Sequence, residues 1–160
     1  MGRWLLLFFL LWSNGLLAAG TGLDLLHSHL AIGASVSYYE DPTASLTVQD
    51  VMHLPAEHFV LLGKPTASHT FTRSALWYRF DVNNATGLPL RRILWLDQPW
   101  LHNTNFAVVS PAGDVTLLPA GNGLPFAARA IANPRINVAH EFAPGLSTVY
   151  LQVMTADPFV

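Results

Sequence analysis

Two strong strand-like stretches carry the residues whose types could do chemistry. Trp77 lies in SALWYRFDVNN (Ser74 to Asn84), and Trp95 lies in LRRILWLD (Leu90 to Asp97), with Trp100 just after it. Around them in sequence stand Arg79, Arg91, Arg92, Asp97, His102 and Asn103. A flat ring beside groups that bond in pairs is how a protein surface holds a sugar or a similar polar ligand. The ring covers C–H faces while Arg, Asp and Asn bond hydroxyls. The competing explanation is packing, because a sandwich core also takes large rings on its strands. Arg79 leans toward binding, since an Arg in mid-strand needs a partner or a cavity.

Catalytic patterns are missing from the sequence. It holds no HExxH, G-x-S-x-G, P-loop or GxGxxG. His27 and His29 could present two imidazoles on one strand face, but a metal centre needs more ligands at fixed distance. Asp81 and Asp97 stand on strands that could be neighbours, which would allow a paired-carboxylate glycosidase only if their separation were fixed. Asn84-Ala85-Thr86 fits a glycosylation sequon. No cofactor and no metal site is expected.

The elements that must position these residues are mostly strands. In Ser74–Asn84, alternation puts Leu76, Tyr78, Phe80 and Val82 on a core face. Ala75, Trp77, Arg79 and Asp81 fall on the other face, which is expected to line a ligand groove. Further strands are expected over Ala34–Glu40, Leu90–Asp97, Thr104–Val109, Val115–Leu118, Arg135–Phe142 and Ser147–Thr155. SPAGDV reads as a hairpin turn, with Pro111 at its second position and Gly113 free to take positive φ. One short helix is expected in SLTVQDVM. Thr47 caps it, Asp50 returns the bond, and Leu46 with Val51 forms a hydrophobic staple. Short strands, turns and one helix make an all-β antiparallel sandwich or jelly roll.

The chain opens MGRWLLLFFLLWSNGLLAAGTG, with Arg3, then an apolar block from Trp4 to Trp12, then small residues. That order is a secretory leader over residues 1–20, cleaved after Ala19 or Gly20. The block falls short of the roughly 20 residues that span a bilayer. About 140 residues then remain, enough for one domain with a core. Eight Lys and Arg less Arg3 leave seven, against ten Asp and Glu, for a net charge of −3. Such a balance is no footprint for nucleic acid or anionic lipid. With no cysteine, an exported domain holds together by burial alone, which suits the bacterial periplasm.

Several segments together resemble a known family. These are YYEDPTASLTVQDV (Tyr38 to Val51), SALWYRFDVNN, GNGLPFAAR and FAPGLSTVYLQV. The resemblance is to the type 2 extracellular domain of bacterial seven-transmembrane receptors with diverse intracellular signalling modules, over about Leu25 to Thr155. It implies a periplasmic jelly-roll-like β-sandwich similar in shape to carbohydrate-binding modules. Such a domain normally precedes seven membrane helices and a cytoplasmic diguanylate cyclase or histidine kinase. Asp41 and Pro42 match the family's Asp-Pro turn, Trp77 and Arg79 its Trp-x-Arg strand, Asn83 that strand's terminal Asn, and Arg129 a late-loop Arg. Ala130 departs from an expected Pro, and Gln152 from a basic residue. The chain stops at Val160, where a relative would enter the membrane, as a truncated ectodomain or a stand-alone binder would.

The expected function is therefore non-enzymatic ligand sensing in the periplasm, with a small polar ligand, a carbohydrate, as partner. The ligand-binding set comprises Trp77, Arg79, Asp81, Trp95, Asp97 and Arg129. The alternative is a protein interaction or homodimerisation module of the same receptor class, and a weaker one is a hydrolase. Membrane contact would come through the parent receptor's helices.

Overall fold

The computed structural model describes residues 23–24, 32–64, 67 and 72–154. The expected leader and the His27–His29 pair lie outside them. Nine strands and one α-helix are found among the described residues. In chain order they are β1 (Leu23–Asp24), β2 (Ser37–Asp41), α1 (Val48–Met52), β3 (Val60–Leu61), β4 (Ala75–Asn84), β5 (Leu90–Leu96), β6 (Asn103–Val109), β7 (Val115–Ala120), β8 (Ile136–Phe142) and β9 (Gly145–Met154). The all-β sandwich with one short helix forms as expected.

One sheet follows the order β3-β2-β4-β9-β6-β7. β4 is its spine. β9 pairs antiparallel along it from Leu76↔Val153 to Asn84↔Gly145. On its other edge β2 pairs antiparallel with Ala75–Arg79, and β1 takes over in parallel at Val82 and Asn83. β5 and β8 pair antiparallel as a separate two-stranded sheet. The space between the sheets is the main core. β4 supplies Leu76, Tyr78, Phe80 and Val82, the face that alternation assigns to it. β9 adds Val149, Leu151 and Val153, β6 adds Phe106 and Val108, and β8 adds Ile136, Val138 and Phe142. Leu94 and Leu96 of β5 close it from the small sheet. Fully burying each such side chain contributes about 1.5–3 kcal/mol.

α1 starts where its sequence says it should. The Asp50 N–H donates to the Thr47 hydroxyl oxygen at 3.3 Å, and the Thr47 N–H donates back to the Asp50 carboxylate at 2.8 Å. The Thr47 hydroxyl also donates to that carboxylate at 2.6 Å. The two bonds that Thr47 donates hold the pKa of the Asp50 carboxyl below its ordinary value. The staple residues Leu46 and Val51 belong to one apolar cluster. The β6–β7 turn also forms as expected. The Gly113 N–H donates to the Ser110 carbonyl at 2.9 Å, and Gly113 takes φ +92°.

Several boundaries shift by one or two residues from the sequence reading, β9 for example starting at Gly145 rather than Ser147, and some differences are larger. Gly33–Ser35 is a single 3-10 turn, so β2 begins at Ser37 and runs on to Asp41. β7 runs through Pro119 to Ala120, because that strand lies at the end of the sheet order, where a residue without an N–H is tolerated. β1 and β3 are two residues long and carry too little periodicity to be read.

Candidate functional site

The outward face of the large sheet is built in layers. α1 and the segment after it lie across this face, so a second apolar cluster forms there. Val51, Ala75, Trp77, Ala107 and Tyr150 are its buried members. An amphipathic helix needs an apolar counter-surface for its stapled side, and the sheet offers Trp77. Across the sheet, Trp77 is paired with Tyr39 of β2 and Gln152 of β9. Only 3% of Trp77 is exposed, so the indole expected to line an open groove is packed beneath the helix. Its Nε1–H finds no hydrogen-bond acceptor among the described residues.

Two positions further along the same face, Arg79 reaches the margin of that cover. It is paired across the sheet with Ser37 on one side and Tyr150 on the other, and it is half-buried. Its guanidinium carbon stands 5.7 Å from the centre of the Phe59 ring. Among the described residues the guanidinium has no ion pair and no hydrogen bond. Asp81 comes next, also half-buried, and its Oδ1 accepts from the Thr148 hydroxyl at 2.8 Å. Both charges act on the Tyr150 phenol. Burial pushes its pKa up, Arg79 pulls it down and Asp81 adds to the rise. Arg79, Asp81, Thr148 and the Phe59 ring thus form one polar patch with an aromatic flank. Phe59 and Thr148 escaped the sequence reading. Phe59 lies in an irregular stretch, and the value of Thr148 comes only from its register opposite Asp81.

The other expected site residues lie elsewhere. Leu94 and Leu96 point into the core, so Trp95 faces outward from the small sheet, on the opposite side of the sandwich from Trp77. Trp95 is 45% exposed, with the Arg135 guanidinium 5.6 Å from its ring centre. Arg135 Nε pairs with Asp97 Oδ1 at 2.6 Å, and both side chains are well exposed. Trp95 and Asp97 therefore come together through Arg135, and Trp77 stays apart from them. Asp81 lies in β4 of the large sheet and Asp97 just beyond the end of β5 in the small one, and β4 and β5 are not paired strands as a glycosidase pair would require. Among the described residues no three His, Asp or Glu converge as metal ligands would.

The profile of the family described as 7TMR-DISM extracellular 2 matches residues 33–160. The chain belongs to that family. A 7TMR-DISM extracellular domain is the outward-facing part of a seven-transmembrane receptor, so the chain has a sensory ectodomain role on the extracytoplasmic side. A search of curated proteins finds no match to it. No helix among the described residues is long and apolar enough to cross a membrane.

In this 7TMR-DISM domain the motif residues do mostly structural work. Asp41 is 2% exposed and organises the Asp-Pro turn. Its carboxylate accepts from the Thr43 hydroxyl and N–H at 2.6 and 2.9 Å, and from the Ser45 and Leu46 N–H groups at 3.0 Å each. Burial raises its pKa, and those four bonds together outweigh burial and hold it low. At the end of β4 the buried amide is Asn84, while Asn83 is half-exposed. Asn84 donates to the Leu88 and Phe142 carbonyls, and it accepts from the Thr86 N–H and hydroxyl. Those bonds explain the sequon-like triplet as a turn. Arg129 is a loop clamp, donating from Nη1 to the Asn133 and Pro134 carbonyls at 2.8 and 2.7 Å. The crevice it borders with Gly121 and Leu124 leaves about 10 Å³, room for about one water.

Proposed function

We propose that this ectodomain works in the periplasm as a non-enzymatic sensor of a small polar ligand, a carbohydrate, held on the outward face of the large sheet. The observation that carries this reading is Arg79, a half-buried guanidinium in mid-strand with no ion pair among the described residues. Burying part of a charge without a partner is costly, and a ligand that supplies acceptors removes that cost. Asp81 and Thr148 stand beside it to bond hydroxyls, and the Phe59 ring offers C–H stacking where Trp77 cannot. Of the six residues expected from the sequence, Arg79 and Asp81 form this site. Trp95 and Asp97 form a separate exposed patch, and Arg129 and Trp77 support the fold.

A glycan array probed with the purified protein, beside light scattering, tests the reading. Saturable glycan binding by a monomer, weakened by Asp81→Ala and Thr148→Val at unchanged melting temperature, is the expected result. Absence of glycan binding together with a mass that rises with concentration would favour an interaction module instead.

A further inference from the structure

We infer that the ligand read at this patch carries a carboxylate, as a uronic acid or a sugar chain bearing uronic acids does. This rests on the carbohydrate reading above and narrows its class.

Three other arginines bond within the fold, although the buried Arg129 Nε–H finds no acceptor among the described residues, and Arg73 and Arg91 are exposed to solvent. Arg129 has two backbone carbonyls, Arg135 has Asp97, and Arg92 donates to the Arg91 carbonyl. Arg79 has a ring. A ring contact supplies no oxygen acceptor, so it leaves the guanidinium N–H donors without conventional hydrogen bonds. The carboxylate best placed to take them is Asp81, on the same face two residues along. Its Oδ1 accepts from Thr148 instead, and its other oxygen has no partner among the described residues.

The patch thus keeps an open planar fork and an open acceptor side by side. A planar monoanion meets the fork with two parallel bonds, the geometry that Arg favours with carboxylates. Hydroxyls on the same sugar ring then donate to Asp81. A dianionic phosphate fits less well, because Asp81 repels the second charge. A neutral sugar leaves the fork with weaker acceptors.

Calorimetric titration of the purified protein with D-glucuronate and D-galacturonate, against D-glucose, D-galactose and a hexose phosphate, decides the matter. Each uronate is expected to bind about tenfold more tightly than its neutral parent, the worth of a charge-assisted bond pair over neutral ones. The hexose phosphate is expected to fall below the uronates. Raising the ionic strength to about 0.5 M narrows the uronate advantage. Arg79→Lys, which keeps the charge and loses the planar fork, narrows the uronate advantage, and Arg79→Gln removes it, each variant being checked by its melting curve. Equal affinity for uronate and neutral sugar, or tighter binding of the phosphate, overturns the inference and leaves the carbohydrate reading standing. Failure of every sugar to bind overturns both. A uronate advantage that survives Arg79→Gln, or that is undiminished in Arg79→Lys, also overturns it. Should either variant fail to fold, the unmodified protein's uronate ratio and its salt dependence still decide.

Discussion

Replacing Trp77 separates packing from polar cost in the layer beneath α1. Trp77→Ala empties a site that is 3% exposed and walled by Val51, Ala75, Ala107 and Tyr150. Emptying a packed aromatic site of this kind costs about 3–5 kcal/mol. Trp77→Phe is the informative partner. It removes several tens of Å³, which at about 24 cal/mol per Å³ of cavity costs about 1 kcal/mol. It also removes an indole N–H that has no acceptor among the described residues, and a buried unpaired donor costs about 1–3 kcal/mol. The two terms oppose each other, so Trp77→Phe should leave stability within about 1 kcal/mol of the parent, or raise it. Urea unfolding of the three proteins followed by far-ultraviolet circular dichroism reads both differences without relying on indole fluorescence. A Trp77→Ala loss below about 1 kcal/mol would refute a closed layer, since surface changes stay near that size. A Trp77→Phe loss as large as that of alanine would refute the unpaired N–H.

Four further outcomes are expected. Thr47→Ala removes the cap of α1 and should lower stability by about 1 kcal/mol, while Val51→Asp places a charge at a fully buried position and should cost more in the same urea assay. Asp41→Asn should cost about 1–3 kcal/mol at neutral pH, because the amide replaces the acceptor-only carboxylate that takes four bonds. The Asp41 carboxyl is held low in the fold, so its contribution is full above the ordinary value of 3.8 and fades as the pH falls through the lower folded value. Unfolding curves across that range should find parent and variant converging on the acid side.

The sandwich was legible because burial writes itself as a period of two. Leu76, Tyr78, Phe80 and Val82 declare their face, and Thr47 with Asp50 declares a cap through local bonds alone. Trp77 was misplaced because the same alternation does not say what covers the second face. That depends on α1 folding back over the sheet, a tertiary event. The polar patch around Arg79 was legible only in part for the same reason. Arg79 stood out as a charge in mid-strand, but Phe59 and Thr148 join it only through register and a returning loop. Trp95 and Asp97 are near Trp77 in sequence and far from it in space, because the chain changes sheets between β4 and β5.

The position of β9 bears on how the domain can be made. β9 pairs with β4 along one side and with β6 along the other, so the middle of the large sheet closes only when residues 145–154 arrive. Until then β4 and β6 have unpaired edges toward each other, and the core between the sheets lacks Val149, Leu151 and Val153. Loops must close between partners distant in sequence before burial rewards them, which puts such all-β topologies on the slow side, about milliseconds to seconds. A chain that lacks its last strand exposes apolar surface and unpaired strand edges, the features that make incomplete folds prone to aggregate. Any truncation that removes residues 145–154 therefore leaves two open strand edges in the middle of the large sheet rather than a shortened rim.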